Sequence, residues 1–395
     1  MTTTSAGASS RAAPRAPDTS HAATPPDPLR HLIDELEELD RADLLRRPHA
    51  APCPPGALVL CSNDYLGYAA LPWPPVEALA SGAGASRLVT GTHAVHLEAE
   101  RALAAWLGAE AALLFSSGYA ANVGTLAALA RPGDLIVSDA LNHASIIDGC
   151  RLSGARVAVV SHADADAVER ALAAAPAARR RWVVTESLFS MDGDTPDLCR
   201  LRAACDAHDA ALIVDEAHAL GVFGPRGAGL CAEARVHADV RIGTLGKSLG
   251  LHGAFVAGSS PLRTYLWNRA RSFVFSTGVP PALAAAAVDR IHRAAADDAG
   301  RARLLDASLR LRTGLADLGA TVLPASRGPI LPWILETPAA AVALSRRLET
   351  EGVIVQAIRP PTVPPGTARL RITASASLSP SDLDRALAAF RRVLP

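Results

Sequence analysis

The strongest constraint on the fold is an alternation of two kinds of segment that runs from about residue 95 to residue 215. Short, uninterrupted apolar runs alternate with segments whose apolar residues recur at helical spacing. Such runs are typical of strands in a parallel sheet whose two faces are both covered by helices. The predicted strands are Ala111–Phe115, Leu135–Ser138, Val157–Val160, Trp182–Thr185 and Ala211–Val214. In sheets of this kind, ligands bind beyond the carboxyl ends of the strands.

The length of the chain leaves room for more than this sheet. Its 395 residues suit a large α/β domain and a smaller one, and 49% hydrophobic residues can fill a sizeable core. The segment 1–28 is rich in Ala, Ser, Thr and Pro, which favours a disordered tail. We expect an N-terminal arm at 29–61 with a helix over its first 17 residues (29–45). A large domain at 62–285 and a smaller α+β domain at 286–395 follow.

Charge and cysteine content argue against several classes of protein. The 39 Lys and Arg residues balance 39 Asp and Glu residues, so nothing favours nucleic acid or an anionic membrane as a partner. No apolar run reaches membrane-spanning length, and we expect a cytoplasmic protein. The six cysteines form no C-x-x-C pair, which argues against a zinc site or a disulfide framework.

Two histidine-containing segments are weak candidates for metal binding. His93 and His96 have no carboxylate or cysteine partner nearby in the sequence, so we predict no metal site there. The run from His162 to Asp166 is interpreted as the start of a helix, because Asp is a preferred N-cap residue.

Polar residues follow the predicted strands at the edge where ligands are expected. Ser116–Tyr119 opens a helix whose N-terminal N–H groups suit a phosphate. Later segments supply an Asn-His pair at 142–143, an acidic stretch at 186–194, the run Asp215–His218, and Lys247 among three glycines. Each piece alone is ordinary, since strand-end Asp residues commonly cap turns and most lysines are simply solvated.

Together these pieces supply the parts of a pyridoxal-phosphate (PLP) site. Lys247 provides the amine for the covalent link to the cofactor. A carboxylate keeps the pyridine nitrogen protonated, so that the ring can accept electrons. A flat side chain covers the ring, and hydroxyls with a helix N-terminus take the phosphate.

Two nucleotide-binding motifs resemble segments of this sequence, but the chain matches neither of them. A P-loop ending in Gly246-Lys247-Ser248 needs a glycine at position 241, where the chain has Arg241. A dinucleotide loop starting at Gly82 needs a third glycine where the chain has Arg87, and no strand precedes it.

From residue 30 to its C-terminus the chain resembles the α-oxoamine synthases, PLP enzymes with the fold of type I aminotransferases. The motifs that carry the resemblance are Ser62–Gly67, Gly82–Gly91, Glu186–Gly193, Val214–His218, Thr244–Lys247 and Phe275–Pro281. The segments 357–364 and 366–373 are similar to the branch of that family that condenses L-alanine with a pimeloyl thioester.

The resemblance implies a role for each matching residue. Lys247 forms the covalent link, Asp215 pairs with the pyridine nitrogen, His218 contacts the ring oxygen and His143 stacks on the ring. These four are the expected catalytic residues. The remaining expected cofactor-binding residues are Gly118, Tyr119, Ser190, Thr244 and Thr277, the last from a neighbouring subunit of a homodimer. The expected substrate-binding residues, besides His143, are Arg46, Asn63, Thr362 and Arg371.

The resemblance also implies the reaction. An amino acid joined to the cofactor loses a proton from its α-carbon, attacks an acyl thioester, loses CO2 and leaves as an aminoketone. Whether the thioester carrier is coenzyme A or an acyl carrier protein stays open. Two alternatives also stay open: another synthase of this family that uses a different amino acid or acyl chain, and a noncatalytic homologue that binds PLP or a partner.

Overall fold

The computed structural model describes residues 28–46, 56–74 and 79–394. Most of the predicted tail at 1–28 therefore lies outside the described residues. The chain divides into two compact units, the first up to residue 47 and the second from residue 48. The helix of the first unit, α1 (His31–Arg41), has no buried residue and is shorter than predicted. It ends before Asp43, whose φ of 55° is left-handed and cannot continue a helix.

The second unit contains three sheets. In chain order the strands are β1 (Leu58–Val59), β2 (Ala111–Phe115), β3 (Leu135–Asp139), β4 (Arg156–Val160), β5 (Arg181–Glu186), β6 (Ala210–Asp215), β7 (Val240–Thr244), β8 (Ala254–Gly258), β9 (Ile330–Glu336), β10 (Val353–Ile354), β11 (Gln356–Ile358) and β12 (Ala368–Thr373). Seven of them form the main sheet in the order β2–β8–β7–β6–β5–β3–β4. In that sheet only β8 is antiparallel to its neighbours. The smaller sheets are β11–β12–β9, which is antiparallel, and the parallel pair β1–β10.

Helices cover the sheets of the second unit. They are α2 (Ala94–Leu107), α3 (Gly118–Leu129), α4 (Ala144–Ser153), α5 (Ala165–Ala173), α6 (Leu198–Ala207), α7 (Leu230–Glu233), α8 (Ser260–Arg269), α9 (Arg271–Val274), α10 (Pro281–Ala296), α11 (Asp298–Asp317), α12 (Pro338–Thr350) and α13 (Pro380–Val393). Asp164 caps α5 by accepting a hydrogen bond from the N–H of Ala167, so the predicted helix start is confirmed. The helix α10 spans residue 285, and the predicted division into domains stays a prediction.

Both faces of the main sheet are buried. Val183 and Leu212 belong to one apolar cluster, whereas their neighbours Val184 and Ile213 belong to a second. Successive side chains of a strand point to opposite faces, so a strand that is covered on both sides needs a continuous apolar run. The predicted α/β fold with a large, mostly parallel sheet is confirmed.

The carboxyl ends of the parallel strands bring distant segments together. The strands β5 and β6 pair in a register that places Glu186 beside Asp215. Since β3 pairs with β5, and β6 with β7, the loops after all four strands meet at one edge of the sheet. Within the described residues, no helix is long and apolar enough to cross a membrane.

Candidate active site

A cavity of about 990 Å³ opens at this edge of the sheet. Loops of the main sheet and residues 356–371 around the antiparallel sheet line it together. The lining includes seven of the residues predicted from the sequence: Asn63, His143, Ser190, His218, Lys247, Thr362 and Arg371. The structure thus brings together side chains that are up to 308 residues apart in the chain, from Asn63 to Arg371.

Lys247 is the only lysine in the chain. It lies in the turn after β7, and its Nζ is 2.8 Å from Nε2 of His218. Burial lowers the pKa of its ammonium group below the usual range, while the charges of Asp215 and Glu186 oppose that shift. A lysine with a lowered pKa reaches the neutral amine form, the form that acts as a nucleophile or a base, near neutral pH.

Asp215 ends β6, and its charge acts on the amine of Lys247. Its Oδ2 accepts a hydrogen bond of 2.7 Å from Nδ2 of Asn122, and its Oδ1 accepts one of 2.9 Å from the N–H of Ala217. Asn122 also donates to Oγ of Ser145 at 3.0 Å. Both carboxylate oxygens therefore accept a hydrogen bond from an N–H donor of the chain. Sequence reasoning missed Asn122, although it is a buried amide within the otherwise mostly apolar helix α3.

Glu186 is a second buried carboxyl group, beside Asp215. Its Oε1 accepts a hydrogen bond of 2.7 Å from the backbone N–H of His143. Burial raises the pKa of Glu186, and the neighbouring charge of Asp215 raises it further. The sequence placed Glu186 at a strand end without giving it a role, whereas in the structure it fixes the start of the helix that carries His143.

His143 is the N-cap residue of α4 and lies in the cavity wall. Its Nδ1 is 2.7 Å from Oγ of Ser145, which orients the ring. Desolvation lowers the pKa of His143, although the charge of Asp215 opposes this effect. The lowered pKa favours the neutral form of the ring.

His218 is buried in contact with Lys247. Its Nδ1 is 2.7 Å from the hydroxyl of Tyr65. Burial lowers the pKa of His218 well below the usual range, and the positive charges of Lys247 and Arg371 add to this effect. The sequence did not single out Tyr65, whose side chain is completely buried.

Arg371 on β12 also lines the cavity. Its Nε donates to the backbone oxygen of Ser190 at 2.6 Å, and its Nη2 donates to the hydroxyl of Tyr65 at 3.3 Å. A guanidinium group carries five N–H donors, so an incoming carboxylate still finds donors there. Asn63 lines the same part of the cavity.

Besides Asp215, five of the predicted residues are not among those that line the cavity. Gly118 and Tyr119 begin α3, and the hydroxyl of Tyr119 donates to Asp148. The hydroxyl of Thr244 donates to the backbone oxygen of Gly253 at 3.0 Å. Thr277 is exposed and pairs with Ser86 in an isolated bridge. Arg46 is exposed in the first compact unit.

The comparisons with known proteins agree with this arrangement. The model of the family described as aminotransferase class I and II matches residues 55–390. The chain belongs to this family. Among curated proteins of the family, the 8-amino-7-oxononanoate synthase of Marinobacter nauticus is 45% identical over 92% of this chain and 96% of its own length. The protein of the same name from Anaeromyxobacter dehalogenans is 46% identical over 91% of this chain and 94% of its own length.

Solved structures of the family share the fold. Serine palmitoyltransferase from S. paucimobilis, with PLP and myriocin bound, is 29% identical and superimposes with a TM-score of 0.85 over 92% of this chain and 97% of that one. An 8-amino-7-oxononanoate synthase from Francisella tularensis is 25% identical, with a TM-score of 0.69 over 85% of this chain and 97% of that one. The predicted α-oxoamine synthase family and the type I aminotransferase fold are confirmed.

Proposed function

We propose that this chain catalyses the PLP-dependent decarboxylative condensation of L-alanine with a pimeloyl thioester, which gives 8-amino-7-oxononanoate for biotin biosynthesis. The observation that carries the proposal is that Lys247 and His218 contact each other in the cavity wall, with the charge of Asp215 acting on Lys247. The relatives named for this reaction cover more than nine tenths of the chain. The presence of the full set Lys247, Asp215 and His218 argues against a noncatalytic homologue.

The residues present fit PLP as the cofactor. The cofactor needs an amine, a carboxylate for its ring nitrogen and donors for its phosphate. Lys247 and Asp215 supply the first two groups. At the start of α3, space is open beside Gly118, where a Cβ would meet no atom within 4 Å. Together with the N–H groups of the first turn, that space suits a phosphate.

Each side chain has a defined task in this proposal. Bound PLP supplies an electron sink for the α-carbon of the amino acid. Lys247, once neutral, removes and returns the proton at that carbon. Asp215 would pair with the ring nitrogen and hold a proton there. His143 would cover one face of the ring, and His218 would contact the ring oxygen.

Phosphate binding and substrate binding involve the remaining predicted residues. We propose that Gly118, Tyr119, Ser190 and Thr244 contact the cofactor, Thr244 mainly through its phosphate. Arg371 and Asn63 hold the carboxylate of alanine, and Arg46 contacts substrate from the N-terminal arm.

The acyl chain lies along the other wall of the cavity. This wall combines Ile358 and Val363 with four prolines and Thr362. Prolines restrict φ and so stiffen the segment. A pimeloyl group ends in a carboxylate, which suits a wall with a hydroxyl and a nearby cation, Arg359. A palmitoyl chain needs a long apolar channel instead.

An assay with defined substrates tests the proposal. The purified holoenzyme is given L-alanine with pimeloyl, acetyl or palmitoyl thioesters, and the aminoketone product is identified by mass spectrometry. We expect the highest kcat/KM with the pimeloyl thioester. Faster turnover with the acetyl or palmitoyl thioester would assign the chain to another branch of the α-oxoamine synthases. No turnover with any of the three thioesters would favour a noncatalytic homologue.

Two further comparisons extend the same assay. Glycine should react weakly in place of alanine, because one methyl group is worth only about 1–3 kcal/mol of discrimination. Pimeloyl-coenzyme A and a pimeloyl acyl carrier protein, tested side by side, identify the carrier. Cytoplasmic localisation is part of the proposal and is tested by cell fractionation.

We also propose that the active unit is a homodimer in which Thr277 of one subunit contacts the phosphate in the other. Large apolar side chains are exposed near this residue: Phe275 is 73% exposed and Val89 is 74% exposed. The bridge between Ser86 and Thr277 joins the two segments that carry them. Exposed apolar patches of this kind commonly mark interfaces between proteins.

Mixing inactive variants tests the shared site. Lys247→Ala and Thr277→Ala are each prepared alone, mixed, and allowed to exchange subunits. A hybrid dimer contains one site with neither substitution, so random exchange should restore about a quarter of the wild-type activity. An active monomer, or no recovery after exchange has been verified by native mass spectrometry, would contradict the shared site.

A further inference from the structure

Tyr65 connects three side chains that the proposed function uses. It lies in the turn after β1, its side chain is completely buried, and it does not line the cavity. Its hydroxyl is 2.7 Å from Nδ1 of His218, 3.2 Å from Oδ1 of Asn63 and 3.3 Å from Nη2 of Arg371. Asn63 belongs to the same turn, whereas His218 and Arg371 are 153 and 306 residues away from Tyr65 in the chain, so these two contacts are not a local consequence of the turn.

The chemistry of the partners fixes the direction of each hydrogen bond. A guanidinium group only donates and an amide oxygen only accepts. Arg371 therefore donates to the oxygen of Tyr65, and the hydroxyl proton of Tyr65 goes to Asn63. The second lone pair of the Tyr65 oxygen is left for Nδ1 of His218, which must then carry the ring proton.

The other ring nitrogen of His218 completes the network. A neutral imidazole with its proton on Nδ1 has an acceptor at Nε2. That atom is 2.8 Å from Nζ of Lys247, an N–H donor. Every donor thus meets an acceptor, from Lys247 through His218 and Tyr65 to Asn63, as expected of a buried polar network.

We propose that Tyr65 is a positioning residue that holds the His218 proton on Nδ1 and couples the ring facing Lys247 to the amino-acid carboxylate site at Arg371 and Asn63. The coupling to a carboxylate site rests on the proposed function. The tautomer of His218 does not, because it is a property of the cofactor-free protein.

A second tyrosine in the same segment provides a matched control. Tyr68 is three residues further along the chain and is 5% exposed. Its hydroxyl donates to Oδ2 of Asp297 at 2.8 Å and contacts none of the proposed site residues. Tyr65→Phe and Tyr68→Phe each remove one buried hydroxyl and keep the ring, so the change in packing is similar, and they differ in which hydrogen-bond partners are lost.

The direct experiment is NMR of the cofactor-free protein labelled with ¹⁵N-histidine, with the His218 signals assigned by His218→Gln. In the wild type and in Tyr68→Phe, we expect the ring proton of His218 on Nδ1. In Tyr65→Phe, Nδ1 loses its acceptor and the proton should move to Nε2. A wild-type proton on Nε2, or an unchanged tautomer in Tyr65→Phe, would overturn the proposal.

A second variant tests the network from its other end. Asn63→Ala removes the acceptor of the Tyr65 hydroxyl proton, which then turns to Nδ1 of His218 and should drive the ring proton to Nε2. This variant lies in a half-buried turn and gives an answer even if Tyr65→Phe does not fold. An unchanged tautomer in Asn63→Ala would also contradict the network.

Kinetics of the holoenzyme test the coupling. For Tyr65→Phe we expect the KM for alanine to rise about tenfold, because Arg371 loses one of its fixed partners. The KM for the thioester should stay within about twofold of the wild type, and Tyr68→Phe should leave both values unchanged. An unchanged KM for alanine in Tyr65→Phe would overturn the coupling. If the tautomer moves but no alanine is turned over by the wild type, the proposed substrates are wrong and the role toward His218 stands.

Discussion

His218 and His162 lie at the same edge of the same sheet, yet their surroundings have opposite electrostatic effects. Burial lowers the pKa of His218 well below the usual range, and the positive charge of Lys247 adds to this effect. His162 lies between two carboxylates, with Nδ1 2.9 Å from Asp139 and Nε2 2.8 Å from Asp194. Desolvation alone would lower the pKa of His162, but these partners outweigh it and raise the pKa to about 10.

The difference shows two uses of one residue type. The neutral ring of His218 can exchange hydrogen bonds with Lys247 and a ligand. The charged ring of His162 instead ties the end of β3, through Asp139, to the loop that carries Ser190, through Asp194. Substitutions around His218 should therefore change turnover, whereas a substitution of His162 should mainly change stability.

The largest effect is expected for Lys247→Ala. Removing the covalent catalyst should lower kcat by about four orders of magnitude or more, while the melting temperature stays near that of the wild type. Steady-state assays and thermal unfolding measure the two quantities. A variant that retains a tenth of the activity would mean that Lys247 is not the covalent catalyst. The surroundings of His218 would then not differ from those of His162 in their effect on turnover.

Asp215→Asn should lower kcat by about two to three orders of magnitude. The neutral amide cannot hold a proton on the ring nitrogen of the cofactor, although it keeps the size and some hydrogen bonds of the carboxylate. Asp239→Asn is the matched control, because Asp239 binds Arg202 and the N–H of Leu212 away from the cavity. Equal activity in the two variants would mean that Asp215 is only a strand-end cap.

His162→Gln should lower the free energy of unfolding by about 2–3 kcal/mol near pH 6, because it leaves two partly buried carboxylates without their cation. Because the pKa of His162 is raised in the folded state, its contribution is complete below its ordinary value of about 6.5 and is lost as the pH rises toward 10. The difference from wild type in urea unfolding should therefore shrink between pH 6.5 and pH 10.

Exposed His237→Gln is the control for that measurement. Turnover of folded His162→Gln at pH 7 should stay within about threefold of the wild type, since His162 does not line the cavity. A stability difference that grows with pH, or none at all, would mean that His162 is not the charged partner of Asp139 and Asp194.

The sequence was most informative where the signal is local. Continuous apolar runs predicted the strands β2 to β6 to within one residue at each end, since burial on both faces requires such runs. The strands β7 and β8 were not predicted, because the glycines around Lys247 suggested a loop. The antiparallel direction of β8 depends on its pairing with β2 and β7, and no local pattern encodes that pairing.

The residues of the candidate site also fall into those that a local motif predicts and those that only the folded structure shows. Motifs that match a family predicted Lys247, His143 and His218, and the fold brings these residues to one cavity. Tyr65 and Asn122 were missed because their partners are 153 and 93 residues away in the chain, and only the folded structure shows them. The opposite pKa shifts of His218 and His162 were equally invisible, because each depends on long-range partners.

The most direct test of the account is to fix the cofactor to the protein. Borohydride reduction of the holoenzyme, followed by digestion and mass spectrometry, locates the modified amine. Since Lys247 is the only lysine, we predict one cofactor per chain, carried by the peptide that contains Lys247. Attachment to the α-amino group, or a reduced holoenzyme in which Lys247 is unmodified, would contradict the assignment of this cavity as the active site.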